Sequence, residues 1–419
     1  MAVRPPRRRH GGRPRRRRRG WPAGVAAIAV IAALLATAGR AIDPDHPATA
    51  SSVGGSSAGA AGRSGHATVA AQSSALPGMP PVGNAKDIYA ADNPSGLSPA
   101  VRGDRPLIYV PNSGGDTVTE IDPRTYKVVR TFVSGRNPQH VVPSWDLKTL
   151  WVTNDLSNSL TPINPKTGLP GPNAPVTDPY NMYFTPDGRH AIVVAEAHQQ
   201  LDFRDPHTMA LTHALSVPCR GVDHIDFSAD GRYLLATCEF SGTLVKVATA
   251  AERVVATLQL PSVGGMTGMP QDVKLSPDGK VFYVADMVAN GVYEVDGASM
   301  RVIGFIPTGL GAHGLYVSRN DKALYVSNRM EGSISVISLA TRKVITKWRI
   351  PGGGSPDMGN VSVNGKVLWL SGRYNSVVYA IDTSNGKLLA EIPVGTAPHG
   401  LSVWPQPGRY SLGHTGILR

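Results

Sequence analysis

A five-residue pattern returns seven times in this chain, and its spacing constrains the fold more than any other feature. It reads "IYVPN" at 108–112, "LWVTN" at 150–154, "FYVAD" at 282–286, "LYVSN" at 324–328 and "LWLSG" at 368–372. Looser copies are "IVVAE" at 192–196 and "LLATC" at 234–238. With Tyr109, Trp151, Val193, Leu235, Tyr283, Tyr325 and Trp369 as markers, the steps are 42, 42, 42, 48, 42 and 44 residues. The long step holds a glycine-rich insertion, "PSVGGMTG" at 261–268. A repeat of this length cannot bury its apolar faces alone, so the copies must stack on one another.

Each copy reads as four short strands. In the sixth, "ALYVSN" (323–328) is apolar, "GSISVISL" (332–339) alternates with period two, "KVITKWRI" (343–350) is a further strand, and "NVSVNGK" (360–366) ends in a turn. Glycine closes "PDG" at 186–188 and 277–279 and "ADG" at 229–231, where a tight hairpin needs a positive φ. No amphipathic stretch after residue 86 is long enough for a globular helix. The pattern therefore predicts an all-β, seven-bladed propeller over 86–419. The last strand, "HGLSVW" at 399–404, completes the blade begun at residue 107 and removes the open sheet edges. Residues 86–106 and the tail "RYSLGHTGILR" are expected to pack around this seam.

The repeated motif resembles the YVTN family of seven-bladed propellers of bacterial and archaeal exported and surface proteins, over roughly 107–403. That resemblance implies the fold and an exported setting. It leaves the activity open, because one propeller architecture hosts many functions. The related propeller of nitrous oxide reductase implies that such a ring can hold a metal cluster on histidines. Some members are credited with binding single-stranded DNA.

The 419-residue chain carries a formal charge of +12, but ten arginines and no acid stand in residues 1–20, so the remainder is close to neutral. A near-neutral folded part argues against nucleic acid as a partner, although Tyr180 and Tyr374 offer stacking surfaces. Residues 21–39, "WPAGVAAIAVIAALLATAG", are uncharged. The basic flank and the trio Ala36-Thr37-Ala38 fit a cleaved secretory signal, and the length also fits a transmembrane anchor. Either reading places the rest outside the cytoplasmic membrane, extracellular or tethered to its outer side. Residues 41–85, rich in Ala, Ser, Gly and Pro, read as a flexible linker.

Alignment of the predicted inner strands gives a polar column: His140, Asn181, His224, Asp272, Gly314, Asn360 and Gly400. One residue earlier stand Gln139, Tyr180, Asp223, Gln271, His313, Gly359 and His399. Four blades thus bring a histidine to one end of the channel. The second strands end on the same face with Asn112, Asn154, Asp155, Glu196, Glu239, Asp286, Asn328 and Arg373. His140, His224, His313 and His399 are candidate ligands for copper or zinc. The wider set of His140, Asn181, Glu196, His224, Glu239, Asp272, Asp286, His313, Asn360, Arg373 and His399 is a candidate binding site for a polar small molecule. The bland alternative is that these groups tie each blade to its neighbour by hydrogen bonds.

Cys219 and Cys238 fall at the mouth of one blade. Export favours a disulfide; the competing reading is a thiolate ligand beside His224. After residue 86 no Gly-x-Ser-x-Gly or His-Glu-x-x-His motif is present. Two function classes follow: a scaffold that binds a small molecule, a cell-envelope component or a protein through its mouth, or a metal-dependent enzyme or carrier.

Overall fold

The computed structural model describes residues 75–419. The basic segment 1–20, the apolar segment 21–39 and most of the expected linker lie outside the described residues. None of the helices among the described residues is long and apolar enough to cross a membrane.

Seven antiparallel sheets form the ring. Blade 1 comprises Leu107–Asn112, Thr117–Asp122 and Lys127–Val133, with Ser402–Trp404 as its innermost strand. The register Leu107↔Trp404, Ile108↔Val403 and Tyr109↔Ser402 closes the ring as the repeat count requires. The inner strands of blades 2 to 7 are Pro138–Pro143, Asn181–Phe184, Val222–Phe227, Pro270–Leu275, Ala312–Val317 and Pro356–Val361. Adjacent blades bury apolar side chains face to face. Ile108 and Val110 of blade 1, for example, pack with Trp369, Val378 and Ala380 of blade 7. The outermost strands are half solvated, and Arg253–Gln259 alternates exposed and half-buried residues along its length.

The motif asparagine has a local reason. Asn112 donates Nδ2 to Thr117 and Thr119, Asn154 to Ser159 and Thr161, and Asn328 to Ser333 and Ser335. It ties the end of the second strand to hydroxyls on the third and is buried in doing so.

Both chain segments outside the repeats gather at the base, the end carrying the glycine turns. The Leu76 amide bonds to Asp230 and the Ile88 amide to Pro277 across neighbouring turns. Leu76 is buried, so packed structure begins about ten residues before the expected boundary at 86. The C-terminal segment does more than cover the seam. Ser411–Gly413 and Ile417–Leu418 enter the channel and extend blade 3 to six strands. Leu412, Ile417 and Leu418 are buried there, and Arg419 reaches Asp226 at 3.0 Å. The channel is thereby stoppered at its base.

Candidate functional site

In five blades the inner strand opens with an irregularity in its pairing, between Pro138 and Val141, Val222 and Ile225, Pro270 and Val273, Ala312 and Leu315, and Pro356 and Gly359. Each irregularity frees two residues from the ladder and re-aims their side chains. Those pairs are Gln139-His140, Asp223-His224, Gln271-Asp272, His313-Gly314 and Asp357-Met358. In blade 7 the expected pair was Gly359-Asn360. The structure shifts it two residues earlier and puts Asp357 and Met358 at the mouth. Asn360 lies deeper, where its Nδ2 donates to the carbonyls of Thr415 and Gly416 and pins the tail.

Five histidines meet on the axis: His140, His224, His313, His399 and, from the tail, His414. None is more than 3% exposed. They form two groups. In the first, nitrogens of His140, His224 and His414 lie within 4.8 Å of one another. The rings of His140 and His224 are 5.6 Å apart, His140 and His414 5.3 Å, and His224 and His414 4.7 Å. Two rings are held through Nδ1 by hydrogen bonds, and the third stands against a carboxylate there. His140 Nδ1 donates to the Tyr180 carbonyl at 3.0 Å, His224 Nδ1 is 2.7 Å from Asp223 Oδ1, and Asn181 Nδ2 donates to His414 Nδ1 at 3.2 Å. All three Nε2 atoms are buried without a hydrogen-bond partner.

The second group is His313, Asp357 and His399. Here a cation is already built in. Arg329 Nε donates to Asp357 Oδ1 at 2.8 Å, and its guanidinium also contacts His313 Nε2. His399 Nδ1 pairs with Gln139 Oε1 at 2.9 Å. The guanidinium leaves this group poorly suited to a metal ion.

Electrostatics separates the histidines further. Burial, reinforced by neighbouring cations, pushes His140, His313, His399 and His414 well below the ordinary range and keeps them neutral. Burial also opposes a charge on His224, but Asp223, Asp272 and Glu239 outweigh it and raise its proton affinity.

The residue just past each second strand forms a ring around the mouth: Ser113, Asp155, Glu196, Glu239, Met287, Arg329 and Arg373. Acids stand on blades 2, 3 and 4, and arginines on blades 6 and 7. Burial, then Asp223, pushes Glu239 up to about 7. Burial, then Glu239, pushes Glu196 well above the usual carboxylate range. Two expected mouth residues have structural work. Asp286 accepts the amides of Met269, Val288 and Ala289, and Asp272 Oδ2 accepts the Leu315 amide of the next blade. Cys219 and Cys238 form a disulfide with Cα atoms 6.0 Å apart, so the thiolate reading falls. Sequence reasoning missed Arg329, Asp357 and the placement of His414. A proline precedes the mouth pair in blades 2, 3, 5, 7 and 1 (Pro138, Pro179, Pro270, Pro356, Pro398), and alignment on it finds Asp357.

A seven-bladed ring with this repeat defines a class, and a model of the YNCE-like β-propeller family matches residues 68–407. The chain belongs to that family. It is 27% identical over 214 residues to a 6-phosphogluconolactonase of Serratia proteamaculans, covering 47% of this chain and 62% of that protein, less than two thirds of its length. Among solved structures, Kuenenia stuttgartiensis hydrazine synthase superposes with TM-score 0.58 at 18% identity, over 67% of this chain and 94% of that one. A putative 6-phosphogluconolactonase of Bacteroides uniformis gives 0.55 at 18% identity, over 71% and 99%. At these identities the structural likeness concerns the fold.

Proposed function

We propose that this protein is an exported or membrane-tethered binding propeller whose channel takes up one transition-metal ion, copper or zinc, on His140, His224 and His414. The observation that carries this reading is the set of three buried Nε2 atoms without partners, on rings whose Nδ1 atoms face the Tyr180 carbonyl, the Asp223 carboxylate and the Asn181 amide. Metal-binding histidines commonly face a carboxylate or carbonyl at the other nitrogen, as His140 and His224 do. Nitrogen ligands at about 2.0–2.1 Å from a tetrahedral ion are ~3.3 Å apart, so the rings draw slightly inward on loading. His140, neutral with its proton on Nδ1, binds a cation without losing a proton; His414, whose Nδ1 accepts from Asn181, first gives up the proton on Nε2, and His224 releases one. The Cys219–Cys238 disulfide supports export.

The test is metal content. Protein produced by export is dialysed against copper or zinc and measured by elemental analysis beside a His140→Ala/His224→Ala double variant. One ion per chain in the parent and none in the variant is expected. A parent that retains no metal sinks the reading.

A second reading, hydrolysis of a phosphorylated sugar lactone, is favoured by the match to the Serratia protein. Arg373 offers a phosphate contact, but Glu196 and Glu239 face the same opening and repel a polyanion. Turnover of 6-phosphogluconolactone by chelator-treated protein, lost in Arg373→Met, is the outcome this reading requires.

A further inference from the structure

We propose that the mouth of the channel binds a small zwitterion, with its carboxylate on Arg373 and its ammonium on Glu196, Glu239 and Asp223. The reason is a separation of charges that the protein itself leaves unmet. Arg373 is half-buried, and its hydrogen bonds go to neutral groups, Ser113 Oγ at 2.8 Å and the Ala397 carbonyl at 3.3 Å. On the other wall Glu196 is half-buried, and the charged groups that act on it most strongly are all acids: Glu239, Asp223, Asp155 and Asp178. Asp223 is 1% exposed, and neither of its carboxylate oxygens has a hydrogen-bond partner. Its charged neighbour is His224 at 2.7 Å.

Buried charges ordinarily pair, because leaving one desolvated and unpaired is strongly unfavourable. Arg329 obeys that rule through Asp357 on the inner strand of blade 7. Arg373 has no such partner, and Glu196 and Glu239, for want of one, hold their protons more tightly until a cation arrives; the two groups stand on opposite sides of one opening. A lone anion would satisfy Arg373 and meet repulsion from the acids. A lone cation would do the reverse. A ligand carrying both charges meets both walls, and a planar carboxylate suits the forked guanidinium. Tyr180, whose ring packs edge-on against His140 at 5.4 Å, stands between the walls as an apolar platform for the ligand's stem. This inference does not depend on a metal ion, since none of the groups named as contacts is one of the three histidines.

The experiment is calorimetric titration of the whole protein in chelator. The probes are glycine, β-alanine, γ-aminobutyrate and 6-aminohexanoate, each beside the carboxylic acid and the alkylamine of matching length. One length is expected to bind about tenfold or more tightly than both of its singly charged counterparts, which corresponds to about 1.4 kcal/mol. Arg373→Met removes the advantage over the amine, and Glu196→Gln/Glu239→Gln removes the advantage over the acid. Absence of binding across the series overturns the proposal. So does a carboxylate that binds as well as the zwitterion, which reduces the mouth to an anion site. Because the titration is metal-free, failure of the metal reading leaves its outcome unchanged.

Discussion

The two ends of the channel are built from the same seven repeats and treat charge in opposite ways. At the base Asp226 receives both the Leu275 amide and Arg419, Arg319 meets Asp92 and the Val361 carbonyl, and Asn360 holds two tail carbonyls. At the mouth Arg373 has only neutral partners, and three carboxylates crowd one wall. The difference teaches that blade stacking fixes the ring without either set of polar groups. The base uses its polar residues to seal; the mouth leaves its own available.

Removing the seal is the largest perturbation. A chain stopped before Ser411 loses Leu412, Ile417 and Leu418 from the core and leaves Asp226 buried without Arg419. At roughly 1.5–3 kcal/mol per buried aliphatic side chain, the expected loss exceeds about 5 kcal/mol, read from urea unfolding. An unchanged midpoint would erase the distinction between the ends. The next effect separates the two mouth arginines. Arg329→Met strands Asp357 and is expected to cost about 3–5 kcal/mol. Arg373→Met, which strands no partner, should stay within about 0.5 kcal/mol. Equal losses would show that Arg373 is a structural residue.

A smaller effect concerns the acidic wall. The Glu239 carboxyl is held at about 7 in the folded protein by burial and Asp223, against an unfolded value of 4.5. Its contribution to stability is therefore fully present below pH 4.5 and is lost as pH rises through 7. Glu239→Gln should flatten the stability profile between those limits, measured by unfolding at several pH values. A profile that keeps its slope would assign the pH dependence to other groups.

Much of this was legible in the sequence, and the reasons are local. The motif fixed period, blade count and closure because a strand repeat with no helix to compete has one way to bury its faces. His140, His224, His313 and His399 were found because they recur at two adjacent positions where the inner strand opens. Asp357 was missed because blade 7 was aligned on its strand interior, where a shift of two residues preserves the side-chain face. Arg329 was missed because attention rested on Asn328, which ties strands, and not on the residue after it. His414 belongs to no repeat. Its arrival beside His140 follows from strand addition to Tyr183, a contact no spacing announces.

Ring closure by Ser402–Trp404 also sets a timetable. In a chain that emerges from its N-terminal end, six blades can stack before the first blade receives its inner strand. His399 arrives just before that strand and His414 after it, and only then are both histidine groups whole. A metal or small molecule would therefore meet a finished pocket only after nearly all of the polypeptide has been made. Partly made chains hold an incomplete ligand set, which protects them from premature loading.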